Sequence, residues 1–239
     1  MRIGMMQPYF FPYLGYFGLV HATDRWVVFD TPQYIRRGWV NRNRVLSNGA
    51  AGWKYARVPI AACDSTTSIR NVRIANRNAW QQELFNNLDA YRLRKAPYYN
   101  QTLSFLQNTL TLQTENLTEL LVHCLRSCCD RLELPFFSES FSTMNLQLPD
   151  TVGPGDWALE TSRHLGATQY INPPGGREIF SPDRFTAANI HLQFLHPALP
   201  AYDQGCREFL PGLSIIDALM WNHPSAVRDM VGDYQLNAA

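Results

Sequence analysis

Residues 2–29 constrain the fold more than any other stretch of this chain. RIGMM (2–6) and WVVF (26–29) are apolar runs of strand length. Between them, Pro8 and Pro12 forbid regular structure, because each removes a backbone donor and restricts the residue before it. Tyr13 to Val20 can form a helix that Ala22-Thr23-Asp24 ends. Strand, loop, helix and strand in so short a span make a βαβ unit, with a right-handed crossover and usually a parallel sheet. The same region, MMQPYFFPYLGYFGLV (5–20), carries six aromatic rings. A core strand would explain the rings but not the prolines. A secretory signal would explain the hydrophobicity but not Gln7 and two prolines, and a strand follows at once. The stretch therefore reads as a buried strand ending at Met6 and a binding loop opening at Gln7.

The rest of the chain extends this plan. WKYARVPI (53–60) has strand character, and SIRNVRI (68–74) alternates like a half-exposed strand. Helical periodicity takes over at WQQELFNNLDAYRL (80–93), TLSFLQNTL and NLTELLVHCLRSCCDRLEL (116–134). DWALETSRHLGA (156–167) reads as a helix, TQYIN (168–172) and HLQFL (191–195) as strands, and LSIIDALMWN (213–222) as a helix. The expected fold class is α/β, a parallel or mixed sheet built on the N-terminal βαβ unit, with a mainly helical insertion. Residues 1–79 and 150–239 would form the body with its ligand crevice, and 80–149 the insertion, in one compact domain.

Charge and cysteine content narrow the function classes. A formal net charge of +1 argues against general nucleic-acid binding, which needs a positive excess, though it leaves room for a small basic cleft. No apolar run reaches membrane-spanning length. Five cysteines, an odd number, favour a reducing cytoplasm over a disulfide framework.

Candidate sites follow from placement. Ligands of parallel sheets bind outside the carboxyl ends of the strands. Gln7 ends the first strand and Asp30-Thr31-Pro32-Gln33 the second, so Gln7, Asp30 and Gln33 should share one crevice. Tyr9, Phe10 and Tyr13 would form its walls. RRGWVNRNR (36–44) combines Arg37 and Arg42 with Asn41, Asn43 and a tryptophan, which suits a phosphorylated ligand; a solvated basic loop has the same composition. NPPGGRE (172–178) puts Asn172, Gly175, Gly176 and Arg177 in a rigid turn whose backbone donors can approach an anion. Cys124 and Cys128 lie one helical turn apart beside His123, but without further ligands they read as core and no metal is expected. GxxxxGK[ST], GxGxxG and GxSxG are all missing. Asp30 and Asp217 are the foremost candidates for a catalytic base.

MQPYFFPYLGYF (6–17), QYIRRGWVNRNRVL (33–46), APYY (96–99), LGATQYINPPGGRE (165–178) and LSIIDALMWN (213–222) resemble, in that order, the WbqC-like protein family. The match runs along nearly the whole chain. Many members open with HQP where this chain has Met6, so a histidine at that position is not the base here. The resemblance implies a cytoplasmic step in the biosynthesis of O-antigens and other bacterial surface polysaccharides. That step would attach an amino acid such as glycine, or another acyl group, to the amine of a nucleotide-linked amino sugar. It carries over to Gln7, Pro8, Asp30, Gln33, Arg37, Asn41, Arg42, Asn43, Asn172, Gly175, Gly176, Asp217 and Asn222. The opening is also similar to that of pantothenate-synthetase-like adenylate-forming ligases, but their two active-site histidines are missing, which counts against ATP use.

The function expected is an acyl- or aminoacyltransferase forming an amide on an amino-sugar nucleotide. Arg37 and Arg42 would hold phosphates, Tyr9 and Tyr13 stack on a ring, and Asp30 accept the amine proton. No cofactor is firmly implied. The donor is a carrier-protein thioester, an aminoacyl-tRNA or an ATP-derived adenylate, and near-neutral charge mildly disfavours tRNA. The alternatives are a non-catalytic nucleotide-sugar-binding or scaffold protein and an ATP-dependent adenylate-forming amide ligase.

Overall fold

The computed structural model describes residues 1–75, 80–146, 148 and 152–239. β1 (Arg2–Met6), α1 (Leu14–His21) and β2 (Arg25–Val28) form the βαβ unit, its strands parallel with Ile3 opposite Arg25. An antiparallel hairpin follows, β3 (Arg42–Leu46) and β4 (Trp53–Arg57). Four helices come next: α2 (Trp80–Asn86), α3 (Asp89–Leu93), α4 (Tyr99–Thr109) and α5 (Leu117–Arg131). The chain then runs β5 (Ser138–Ser140), α6 (Asp156–His164), β6 (Gln169–Asn172), α7 (Pro182–Ala187) and β7 (His191–Pro197). It closes with α8 (Ile215–Trp221), α9 (Pro224–Gly232) and β8 (Tyr234–Ala238).

Among the described residues the main sheet has six strands in the order β5-β2-β1-β6-β7-β8, all parallel except β8, which is antiparallel to β7. Counted in chain order these strands run 3-2-1-4-5-6, the doubly wound arrangement, with its reversal between β1 and β6. Period-two alternation divides the core into two layers. Ile3, Met5, Val27, Tyr170, Leu192 and Phe194 face α6 and α7. Trp26, Val28, Ile171 and Leu195 face the other way, into a larger cluster with α1, α5, α8 and α9.

The helical segment shares that larger cluster with the aromatic loop and α8. In α5, Leu117, Leu120, Leu121, Cys124, Leu125 and Cys128 recur at helical spacing and are all buried. Each buried leucine contributes about 1.5–3 kcal/mol. Asn116 caps this helix, its side chain accepting from the Glu119 amide at 3.1 Å. The expected boundary at 149–150 and the end of the segment 1–79 lie outside the described residues.

Three elements depart from the sequence pattern. Residues 68–74 form a 3-10 turn at Ile69–Asn71 rather than a strand, with Ile69 and Val72, three apart, buried along with Ile74. The helix expected over 80–93 breaks between Asn86 and Asp89 into α2 and α3. The arginine-rich block, to which the sequence pattern assigns no element, supplies β3.

Candidate functional site

The aromatic loop after β1 is held on both sides. The Phe10 amide donates to the Val40 carbonyl at 3.0 Å. On the other flank, the Ile215 amide donates to the Pro12 carbonyl at 2.8 Å, and the Ser214 hydroxyl to that of Phe11 at 2.6 Å. Phe10 and Phe11 are wholly buried, so Phe10 is core rather than the crevice wall expected of it. Tyr16 is also buried, and its hydroxyl donates to the Gln7 carbonyl at 3.0 Å. Tyr9 and Tyr13 remain half-buried and open onto solvent.

These two tyrosines form a crevice of about 250 Å3 with Trp39, Asn43, Arg44 and Gly212. The lining is mostly apolar, with one guanidinium and one amide as its polar groups, a composition suited to a flat ring with a polar edge. Burial raises the phenol pKa of Tyr9 and Tyr13, and for Tyr9 the neighbouring Tyr13 adds to the shift. Both rings therefore stay neutral at physiological pH, able to stack and to donate.

The hairpin side of the crevice rests on arginine–aromatic contacts. Arg44 lies 5.3 Å from the Trp53 centroid and 5.8 Å from that of Trp39, and donates to the carbonyls of Gly212 at 3.0 Å and Pro211 at 3.3 Å. Arg42 lies 4.0 Å over Tyr55 and donates to the carbonyls of Gly38 and Arg37, which closes the preceding loop. Arg37 is exposed at the tip of that loop. Asn41 is interior, accepting from the Tyr34 hydroxyl at 2.8 Å and donating to the Val58 carbonyl at 2.7 Å. Gln33 is exposed and donates to the Ser65 carbonyl.

Asp30 belongs to a different opening. It lines a polar cleft of about 600 Å3 with Arg70, Asn116, His123, Arg126 and Ser142. Its two carboxylate oxygens accept from the Ser142 amide at 3.0 Å and the Ser142 hydroxyl at 2.6 Å. Asp217 is fully buried in α8, where Oδ2 accepts from Tyr202 at 2.7 Å and from Gln204 at 2.8 Å. Burial pushes its carboxyl above the ordinary range, against the hydrogen bond from Tyr202.

The other expected residues sit at element ends. Asn172 closes β6, accepting from the Tyr170 hydroxyl at 3.0 Å and donating to the Pro173 carbonyl at 3.1 Å. A Cβ on Gly176 would lie 2.7 Å from the Asn172 amide nitrogen, whereas one on Gly175 would meet nothing. Arg177 stacks 5.1 Å from the Phe194 centroid and donates to the Ala238 carbonyl at 2.9 Å. Asn222 ends α8, donating to the Ala218 carbonyl at 3.0 Å. Of the expected residues, the crevice thus gathers Tyr9, Tyr13 and Asn43. Trp39, Arg44 and Gly212 join them without having been singled out, although Trp39 and Arg44 lie inside the RRGWVNRNR block.

A profile of the WbqC-like protein family matches residues 7–229, from the glutamine that opens the aromatic loop to Asp229 within α9. The chain belongs to the WbqC-like protein family. An uncharacterized protein of Mycobacterium tuberculosis (strain ATCC 25618 / H37Rv) is 23% identical over 220 residues, covering 91% of this WbqC-like chain and 92% of that protein. No solved structure matches. Among the described residues of this WbqC-like protein, no helix is long and apolar enough to cross a membrane.

Proposed function

We propose that this WbqC-like protein binds a nucleotide-linked amino sugar in the aromatic crevice and transfers an acyl or aminoacyl group onto its amine, in the assembly of a bacterial surface polysaccharide. The observation that carries this reading is the convergence of Tyr9, Tyr13 and Trp39 with Asn43 and Arg44 around about 250 Å3. Rings of this kind stack on a planar heterocycle, the amide reads its edge, and the guanidinium meets a phosphate oxygen. In the transfer, the amine attacks the donor carbonyl, a C–N bond forms, the bond to the donor's leaving group breaks, and the amine gives up a proton. The proton leaves with the donor's leaving group, because Asp30 opens onto a different cleft, and Asp217, enclosed in the core, holds Tyr202.

A second reading, a nucleotide-sugar-binding protein without turnover, is favoured by one observation. Both oxygens of Asp30 are already engaged by Ser142. Turnover separates the two. The purified protein is tested by thermal shift against amino-sugar nucleotides, their hydroxyl analogues, ATP and coenzyme A thioesters. It is then incubated with each donor class and the sugar nucleotide, and products are read by mass spectrometry. Stabilisation that is lost in Trp39→Ala, together with an N-acylated product, supports the transferase. Stabilisation without product with any donor supports the binder, and no stabilisation by any sugar nucleotide removes both.

A further inference from the structure

The near-neutral average charge hides a segregated one. Residues 31–63 contain Arg36, Arg37, Arg42, Arg44, Lys54 and Arg57 and no aspartate or glutamate, although the whole chain carries only +1. The remainder of the protein holds the compensating acids. The basic segment is the β3–β4 hairpin together with the loop that leads into it.

Strand periodicity then sorts these side chains. Arg42 pairs with Arg57 and Arg44 with Tyr55 across the ladder, so these four share one face with Trp53. Leu46, the partner of Trp53, is buried at the end of that face, while Asn43, Val45, Lys54 and Ala56 occupy the opposite one, Lys54 half-buried and the other three buried. The outer face is an alternation of guanidinium planes and rings. Arg42 covers Tyr55, Arg44 bridges Trp53 and Trp39, and the rings of Trp53 and Tyr55 meet at 5.1 Å. Among the described residues, Arg57 is the cation of this face with an acidic partner, Glu83 at 3.9 Å, and both side chains are largely exposed.

A face of this kind matches single-stranded nucleic acid. Bases stack on rings and on guanidinium planes while the charges neutralise phosphates. An acidic protein surface would use the charges and leave the stacked planes idle. The face also adjoins the crevice, because Trp39 and Arg44 are walls of it.

We propose that the hairpin binds the single-stranded 3′ end of a tRNA, so that aminoacyl-tRNA is the acyl donor. This rests on the transferase reading of the crevice. The sugar amine attacks the ester carbonyl, the C–N bond forms, and the C–O bond to the terminal ribose breaks. The amine's proton ends on the departing ribose oxygen, and no nucleoside triphosphate is consumed in the step.

The test measures binding of unfractionated deacylated tRNA, a minihelix with a 3′ CCA overhang, and the same minihelix with a blunt end. The full-length protein is used at low and at physiological salt. The overhang minihelix should bind at least five-fold more tightly than the blunt one, and more weakly as salt rises. Arg57→Glu should weaken it about five-fold or more, with the unfolding midpoint and the shift by sugar nucleotides unchanged, and Tyr55→Leu, whose ring packs on the crevice wall Trp39, should weaken it by a similar factor. Equal binding of the two minihelices, or no effect of both variants, overturns the proposal. So does binding of an acidic acyl carrier protein or anionic phosphatidylglycerol vesicles in place of RNA. RNA binding is measured without sugar and the sugar-nucleotide shift without RNA, so failure of either reading is seen separately.

Discussion

Ser214 and Phe11 are joined by a 2.6 Å hydrogen bond from the serine hydroxyl to the phenylalanine carbonyl. Phe11 sits at φ 40, in the left-handed region that a bulky residue occupies at a cost of about 1–3 kcal/mol. The same hydroxyl oxygen accepts from the Ile216 amide at 3.2 Å, capping α8. One side chain therefore fixes both the aromatic loop and the helix that supports it.

Ser214→Ala should cost about 1–3 kcal/mol of stability, because it removes a helix cap and leaves a buried carbonyl unpaired. Urea denaturation reads the loss. Sugar-nucleotide affinity should fall with it, since Tyr9 and Tyr13 flank the released segment; unaltered affinity would mean that the loop keeps its shape without this bond.

Asp30→Asn should leave both turnover and the sugar-nucleotide shift intact, because Asp30 lies outside the crevice, and loss of turnover would put it in the mechanism. An amide cannot accept from both Ser142 donors as the carboxylate does, so stability should drop by about 1–3 kcal/mol. Ser142→Ala, which keeps the carboxylate, should retain turnover.

Burial raises the Asp217 carboxyl above its ordinary value of 3.8, so the native state holds that proton more tightly than the unfolded chain does. The stability it contributes is complete below about pH 4 and is lost as pH rises through the native value. Asp217→Asn does not titrate. The stability of wild type minus that of the variant should therefore fall as pH rises above about 4, in paired urea melts. A constant difference would mean that this carboxyl titrates as it does in the unfolded chain.

A Cβ on Gly155 would lie 2.0 Å from the Ile179 carbonyl oxygen, a backbone atom that cannot rotate away. Gly155→Ala should cost about 1–3 kcal/mol by overpacking. Gly175→Ala, with open space around the added carbon, should change stability little. Similar melting of the two variants would show that the segment after β6 moves freely.

The βαβ opening was legible because two apolar strands and two prolines leave few alternatives. The 3-10 turn at Ile69–Asn71 was not, since Ile69, Val72 and Ile74 fit period two and period three almost equally. β5 and β8 carry little signal of their own: Ser138, Glu139 and Ser140 form a strand only because Trp26, Val27 and Val28 pair with them. In the site, strand ends and aromatic composition pointed to Tyr9 and Tyr13. Gly212 joins the crevice through tertiary contact, which local pattern does not carry. Net charge does not report where charges sit: a sum over the chain erases the difference between residues 31–63, which hold no acids, and the rest.

The crevice is assembled from residues near the start of the chain, from the hairpin, and from Gly212 close to the end. During synthesis the first two parts emerge long before the third. Until residues 211–215 leave the ribosome, Arg44 lacks its carbonyl partners and Phe11 lacks Ser214. The crevice is then complete only once residues 211–215 have emerged, and products terminated before them would lack it.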